Sequence, residues 1–212
     1  ELGYQPLFCQ LLTWSGHTLK YSLKNTTLEQ GKDVVSISDE GVPQAYQLKG
    51  GDISLRRWRD EVRPEIEELI DCPIKHPEIN KSQPHVSWLI TNGNIDDTVR
   101  VQITDLNESK WKLTPLHIWT RGDLLSRFQE MVDGILPKDA RAYKELTDLI
   151  FADGTGFPDT EKIVPFLTEI LRINEASLAK EQRRRDIAAA VLYATMIAGP
   201  FRREGNYASV VR

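Results

Sequence analysis

Gln47-Leu48-Lys49 sets two polar side chains two residues apart in an otherwise apolar run, Gln44–Lys49. In a β-strand, residues i and i+2 share a face, so the Gln47 amide and the Lys49 ammonium project together. Upstream, Asp33 opens a second β-like run, Asp33–Ser38. These three residue types together suit phosphodiester hydrolysis assisted by a hard divalent cation. Mg²⁺, or Mn²⁺ in its place, takes oxygen ligands. Asp33 offers an anionic oxygen, Gln47 an amide oxygen, and the backbone carbonyl of Leu48 lies between. Such a cation acidifies a bound water and withdraws charge from the scissile phosphate. Lys49, a compact cation, can hold the attacking water and neutralise charge growing on the phosphate oxygens. Because Gln47 is neutral, the expected metal affinity is modest.

Whether these groups meet depends on strand register. Asp39-Glu40-Gly41-Val42-Pro43 is turn chemistry between the two runs. Read as a five-residue loop, it sets Ser38 opposite Gln44 and Asp33 directly opposite Lys49. A loop one residue shorter or longer sends Asp33 to the other face. A Q-x-K triplet by itself is common, and an acid and a lysine at strand ends are ordinary surface features. Spacing alone therefore leaves the bland alternative standing.

The elements that must position these residues follow from periodicity. Tyr4, Leu7, Phe8, Leu11, Leu12 and Trp14 recur at helical spacing, with Gly16 placed to end the helix. A short strand is expected around Leu19–Leu23, then the two runs of the hairpin. Ser54 can cap a helix from Leu55 to about Ile70, interrupted or restarted near Pro64. Pro73 to Pro84 reads as a loop. Val86–Thr91 and Leu116–Thr120 read as short strands separated by a charged helical stretch, and Asp123–Val132 as a helix. From Pro137 the texture changes to helix alone: Asp139–Phe151, Asp159–Ile173 and Glu175–Ala198. The expected fold is α/β, a mixed sheet flanked by helices, over residues 1–135. An all-helical segment, 136–212, follows it, with the boundary near 133–138.

Gly31-Lys32-Asp33-Val34-Val35 followed by Tyr46-Gln47-Leu48-Lys49-Gly50 resembles the G-x-D … Q-x-K signature of the Mrr-like branch of the PD-(D/E)XK nucleases, in which Gln commonly replaces Glu. Tyr4-Gln5 falls where that family often has Phe-Glu, whose Glu helps the metal site. Here Gln5 occupies the position, and Glu1 is a poor substitute so near the terminus. Val86–Gly93, ending in Thr91-Asn92-Gly93, looks like the family's later core strand and turn. Leu116–Trp119 with Asp123-Leu124-Leu125 looks like its closing strand and helix. The resemblance covers about residues 1–132 and implies a restriction-endonuclease-like sheet and a Mg²⁺-dependent endodeoxyribonuclease. It assigns Asp33, Gln47 and Lys49 as catalytic, and Asp33, Gln47, the Leu48 carbonyl and Gln5 as the metal set. Cutting a DNA duplex needs two such sites, so a homodimer or larger assembly is expected. Similar domains often head multidomain prokaryotic antiviral defence proteins, which implies sensor or ATPase domains downstream. Two alternatives stay open: a catalytically weakened binding or scaffolding module, suggested by the amides at 5 and 47, and an RNase or junction resolvase on the same fold.

The remaining composition narrows the field. With 40% hydrophobic and 27% charged residues the chain is an ordinary globular protein, and no apolar run approaches the ~20 residues of a membrane span. Two cysteines without paired spacing, and four scattered histidines, argue against a zinc site or a disulfide framework, and a reducing, cytoplasmic setting is expected. A net charge of −4 leaves room only for a local nucleic-acid patch. Arg56, Arg57 and Arg59, just after the Q-x-K run, are the candidate phosphate contacts, with a solvated helix face as the alternative. Trp14, Trp88 and Trp119 read as core rather than stacking platforms. The charged run Lys180–Asp186 reads as an exposed face or an interhelix contact. Asp153–Phe157 reads as a loop joining two helices, since it lacks the Lys-Ser/Thr of a phosphate loop. Starting at Glu1 and ending at Val210-Val211-Arg212, the chain reads as part of something longer.

Overall fold

The computed structural model describes residues 3–22, 31–137, 139–175 and 177–206. Helix α1 (Gln5–Trp14) precedes β1 (Thr18–Ser22), β2 (Val34–Ile37) and β3 (Pro43–Lys49). A helical stretch follows as α2 (Leu55–Arg57), a π-helical turn (Trp58–Val62) and α3 (Arg63–Asp71). Then come β4 (Val86–Thr91), α4 (Asp97–Glu108), β5 (Leu116–Trp119) and α5 (Arg121–Ile135). Leu23, the far end of the expected first strand, and Glu1 lie outside the described residues.

The five strands form one sheet in the order β1-β2-β3-β4-β5. The first two pairings are antiparallel and the last two parallel. β3 is thus the central strand, and all seven of its residues are buried. Alternation splits its side chains between two cores. Tyr46 and Leu48 join Val34 and Ile90 under Phe8 and Leu12 of α1 and Leu124 of α5. Ala45 joins Val35 and Leu89 under Trp58, Val62, Ile66 and Leu69 of the α2–α3 stretch and Val99 and Ile103 of α4. Helices therefore cover both faces, which is what a sheet with apolar residues on both sides requires. The expected α/β class and mixed sheet are present.

The helix is interrupted by a π-helical turn and restarts as α3 at Arg63, beside Pro64, as expected. Pro64 sits in the first turn of α3, where its missing N–H costs nothing. The irregularity is the π-helical turn before it, which keeps Trp58 and Val62 on the buried stripe. Trp58 is fully buried; Trp88, Trp119 and Trp14 are half-buried. Trp88 and Trp119 pack on each other at 5.1 Å, and the Arg127 guanidinium lies 4.0 Å above the Trp119 ring.

The chain divides into two compact units, 1–129 and 130–212, a few residues before the expected change of texture. The division falls inside α5, whose last turn belongs to the second unit: the Ile135 carbonyl accepts a hydrogen bond from the Tyr193 hydroxyl at 2.6 Å. The described residues of that unit carry α6 (Ala140–Ile150), α7 (Thr160–Ile170) and α8 (Lys180–Arg203), and no strand. In the charged run, Arg183 donates to the carbonyls of Leu171 (2.8 Å) and Glu175 (2.9 Å), an interhelix contact closing the end of α7. No helix among the described residues is long and apolar enough to cross a membrane.

Candidate active site

The hairpin that carries Asp33 and the Q-x-K triplet closes one residue earlier than the sequence count places it. Ile37 pairs with Pro43, Ser36 with Gln44, and Val34 with Tyr46. Ser38 is drawn into the turn: its N–H donates to the Val42 carbonyl (3.0 Å), its carbonyl accepts from Gly41 (2.9 Å), and its hydroxyl accepts from the Val42 N–H (3.3 Å). The loop still has five residues, now Ser38–Val42. Against the expected pairing of Ser38 with Gln44 the register is shifted by two positions, and the ladder ends at Val34 opposite Tyr46, so Asp33 is not paired with Lys49. This shift of two positions preserves parity. Ala45, Gln47 and Lys49 alternate onto one face of β3, the face that α3 covers.

Asp33 stands one residue before β2. Its N–H donates to the Tyr46 carbonyl at 2.9 Å, and its carboxylate accepts from the Leu48 N–H at 2.6 Å. The acid is thereby tied to the peptide between Gln47 and Lys49. In an extended strand the N–H and C=O of one residue point the same way. The Leu48 carbonyl is therefore directed, like its N–H, to the Asp33 side of β3.

The G-x-D spacing has a local cause. Gly31 has φ +72°, and a Cβ there would lie 2.4 Å from the Glu65 carbonyl oxygen and 2.9 Å from the Leu69 nitrogen. Only glycine lets the segment press onto the α3 backbone two residues before Asp33. Between them Lys32 is buried, and desolvation pushes its ammonium down to about 8.

Gln47 is 5% and Lys49 7% exposed. A buried lysine needs a partner, and Lys49 has one in an ion pair with Glu65 of α3. Gln47 Oε1 is buried without a hydrogen-bond partner, which is costly unless something occupies that lone pair. Gln5, first residue of α1, is buried too. Its neighbour Tyr4 donates to the carbonyls of Lys49 and Ile90, both at 3.1 Å, anchoring the start of α1 at the Lys49 end of β3 and β4.

Beyond Lys49 two loops lock each other. The Thr91 hydroxyl donates to the Gly51 carbonyl (2.6 Å), the Gly51 N–H to Asn92 Oδ1 (2.6 Å) and the Asn94 N–H to Asp52 Oδ1 (2.7 Å). A Cβ on Gly93 would lie 2.2 Å from the Gly51 carbonyl carbon, which explains the Thr91-Asn92-Gly93 turn. Arg57 is absorbed here as well: it donates to the carbonyls of Gly50 (2.7 Å) and Asp52 (3.0 Å) and pairs with Glu61. Its role is to brace the loop. Arg56 and Arg59 are exposed, Arg56 in an i,i+4 pair with Asp60.

As a donor set, the Asp33 carboxylate, Gln47 Oε1 and the Leu48 carbonyl are oxygens, which fits Mg²⁺ or Mn²⁺ better than a softer ion. Among the described residues no group of three or more His, Cys, Asp or Glu side chains gathers to hold a metal, so the fit rests on one acid and two neutral oxygens. Glu65, the ion-pair partner of Lys49, is a residue that motif reading missed. Its signal lies in helical spacing: with Trp58, Val62 and Leu69 it falls on the buried stripe of the α2–α3 stretch, where a carboxylate needs a reason.

No known protein family, curated protein or solved structure matches this chain.

Proposed function

We propose that the first unit is a restriction-endonuclease-like nuclease domain that hydrolyses DNA phosphodiester bonds with a divalent cation, Mg²⁺ or Mn²⁺, at Asp33 and Gln47. The reading rests on one observation above others. The Asp33 carboxylate is held 2.6 Å from the N–H of Leu48, the residue of β3 between Gln47, whose Oε1 is unpartnered, and the buried Lys49. A mixed sheet with helices on both faces is also what the motif resemblance calls for.

When bound, the cation supplies charge withdrawal from the phosphate and an acidified water. The chain's own residues do the rest. Asp33 and Gln47 present oxygens held in place by the sheet, so little reorganisation accompanies binding. Lys49 brings an ammonium to the face of Gln47, where it can neutralise a phosphate oxygen or orient a water by hydrogen bonding. The interlocked Gly50–Asp52 and Thr91–Asn94 loops keep that end of the sheet rigid. Arg56 and Arg59, both exposed, are the phosphate contacts of this reading, and Gln5 stands as an auxiliary oxygen donor. Duplex cleavage then calls for two copies of the site, hence a homodimer or larger assembly in the cytoplasm, working as the effector of a longer defence protein.

Plasmid cleavage in Mg²⁺ or Mn²⁺ tests the reading: Asp33→Ala and Lys49→Ala should each lower the rate roughly 10²-fold or more. Unchanged cleavage in both variants would remove the site. Comparing supercoiled DNA, single strands, RNA and four-way junctions separates a DNase from an RNase or a resolvase. A second reading, a weakened nuclease fold that binds without cutting, is favoured by the small number of acids and by the engagement of Lys49 with Glu65. It predicts nucleic-acid binding by the wild type without cleavage under any cation.

A further inference from the structure

The proposed centre as the motif defines it has no net charge of its own: Asp33 contributes −1, Lys49 +1 and Gln47 nothing. A divalent cation is held weakly by such a set. Glu65 changes the balance to −1. Its carboxylate pairs with the Lys49 ammonium, and Lys49 shares a strand face with Gln47. Its main-chain carbonyl is the group against which Gly31 packs, two residues from Asp33. The helix that carries it lies over the face holding the unpartnered Gln47 oxygen. Glu65 is only half-buried, so its carboxylate has somewhere to turn.

Resting on the metal-dependent reading above, we propose that Glu65 is the second acid of the centre. It holds the Lys49 ammonium in the cation-free protein and exchanges it for the divalent cation seated at Asp33 and Gln47. Lys49 is then released to the phosphate. One carboxylate thus couples the arrival of the ion to the availability of the lysine, and it supplies the negative charge that the amides at 5 and 47 do not.

The two roles carry opposite signs in one measurement that needs no DNA. Mn²⁺ is titrated calorimetrically into the full chain and its variants, with thermal unfolding in the absence of cation as the folding control. Glu65→Gln should weaken Mn²⁺ binding tenfold or more, and Glu65→Asp should restore most of it. Lys49→Met should tighten binding several-fold, because the competitor for Glu65 is gone. Equal affinity in wild type and Glu65→Gln, with Asp33→Ala binding weakly, would overturn this inference and leave the nuclease reading standing. Wild-type protein that takes up no Mn²⁺ would overturn both. If Glu65→Gln does not fold, the Lys49→Met titration decides alone, and an affinity no tighter than wild type overturns the exchange.

Discussion

Three side chains around β3 carry free energies that single substitutions can read. Glu65→Ala leaves the Lys49 ammonium buried without its partner, whereas Lys49→Met removes the charge together with its need for one. Breaking one side of a buried pair costs more than replacing both by apolar groups, and solvent at the half-exposed Glu65 reduces the loss. Glu65→Ala should therefore cost about 1–2 kcal/mol in denaturant unfolding, and the double variant with Lys49→Met less than that. A larger loss in the double variant would contradict the pairing. Lys32 gives a pH signature. Its folded pKa of about 8 lies below the ordinary 10.5, so between these values the unfolded chain binds more protons. Stability from this group therefore rises with pH across that window, and at pH 7 the buried charge is a net cost. Lys32→Met should stabilise the protein at pH 7 by up to about 3 kcal/mol, an advantage that fades by pH 10.5. Unfolding midpoints of the two proteins across that range check it, and a difference independent of pH would refute it.

Between elements, the decisive feature is where β2 stops. Past Val34 no strand pairs with that edge of β3 among the described residues, and the Leu48 N–H is held by the Asp33 carboxylate. Asp33→Ala should speed amide exchange at Leu48 at least about tenfold, while Gln44, whose N–H faces β2 inside the β2–β3 ladder, keeps its protection. Uniform acceleration along β3 would mean that Asp33 stabilises the hairpin as a whole. The same segment depends on glycine. Gly31→Ala forces a Cβ against the α3 backbone at a positive φ, and should cost roughly 2 kcal/mol or more, measured as a loss of unfolding free energy. Turn chemistry, alternation and helical spacing made most elements legible: the strand Val86–Thr91 falls where its apolar run and the following Asn92-Gly93 put it. The hairpin register was not legible to the residue. Ser38 can serve as the last strand residue or the first turn residue, and hydrogen bonds within the folded turn decide between them.

At the scale of the whole chain the electrostatics are sparse. With a net charge of −4 and Arg57 committed to its loop, Arg56 and Arg59 are the candidate phosphate contacts left from the predicted cluster. A plot of log affinity against log salt should then have a shallow slope, about −2 per protomer, in binding measurements with Ca²⁺ replacing Mg²⁺. A slope several times steeper would mean a basic surface elsewhere carries the nucleic acid. The proposed assembly is tested by sedimentation equilibrium with and without DNA, a monomer under both conditions removing the paired-site model.

The sequence by itself determined which residues could do chemistry and that Gln47 and Lys49 would share a face, because side-chain alternation has a period of two. It also separated a sheet-bearing first part from helices alone, because the two periods leave different marks on apolar residues. Only the tertiary structure decided that Asp33 reaches the peptide of Leu48, that Arg57 braces a loop, and that Glu65, distant in sequence and on another element, meets Lys49. Contacts between elements depend on packing distances that no local pattern encodes.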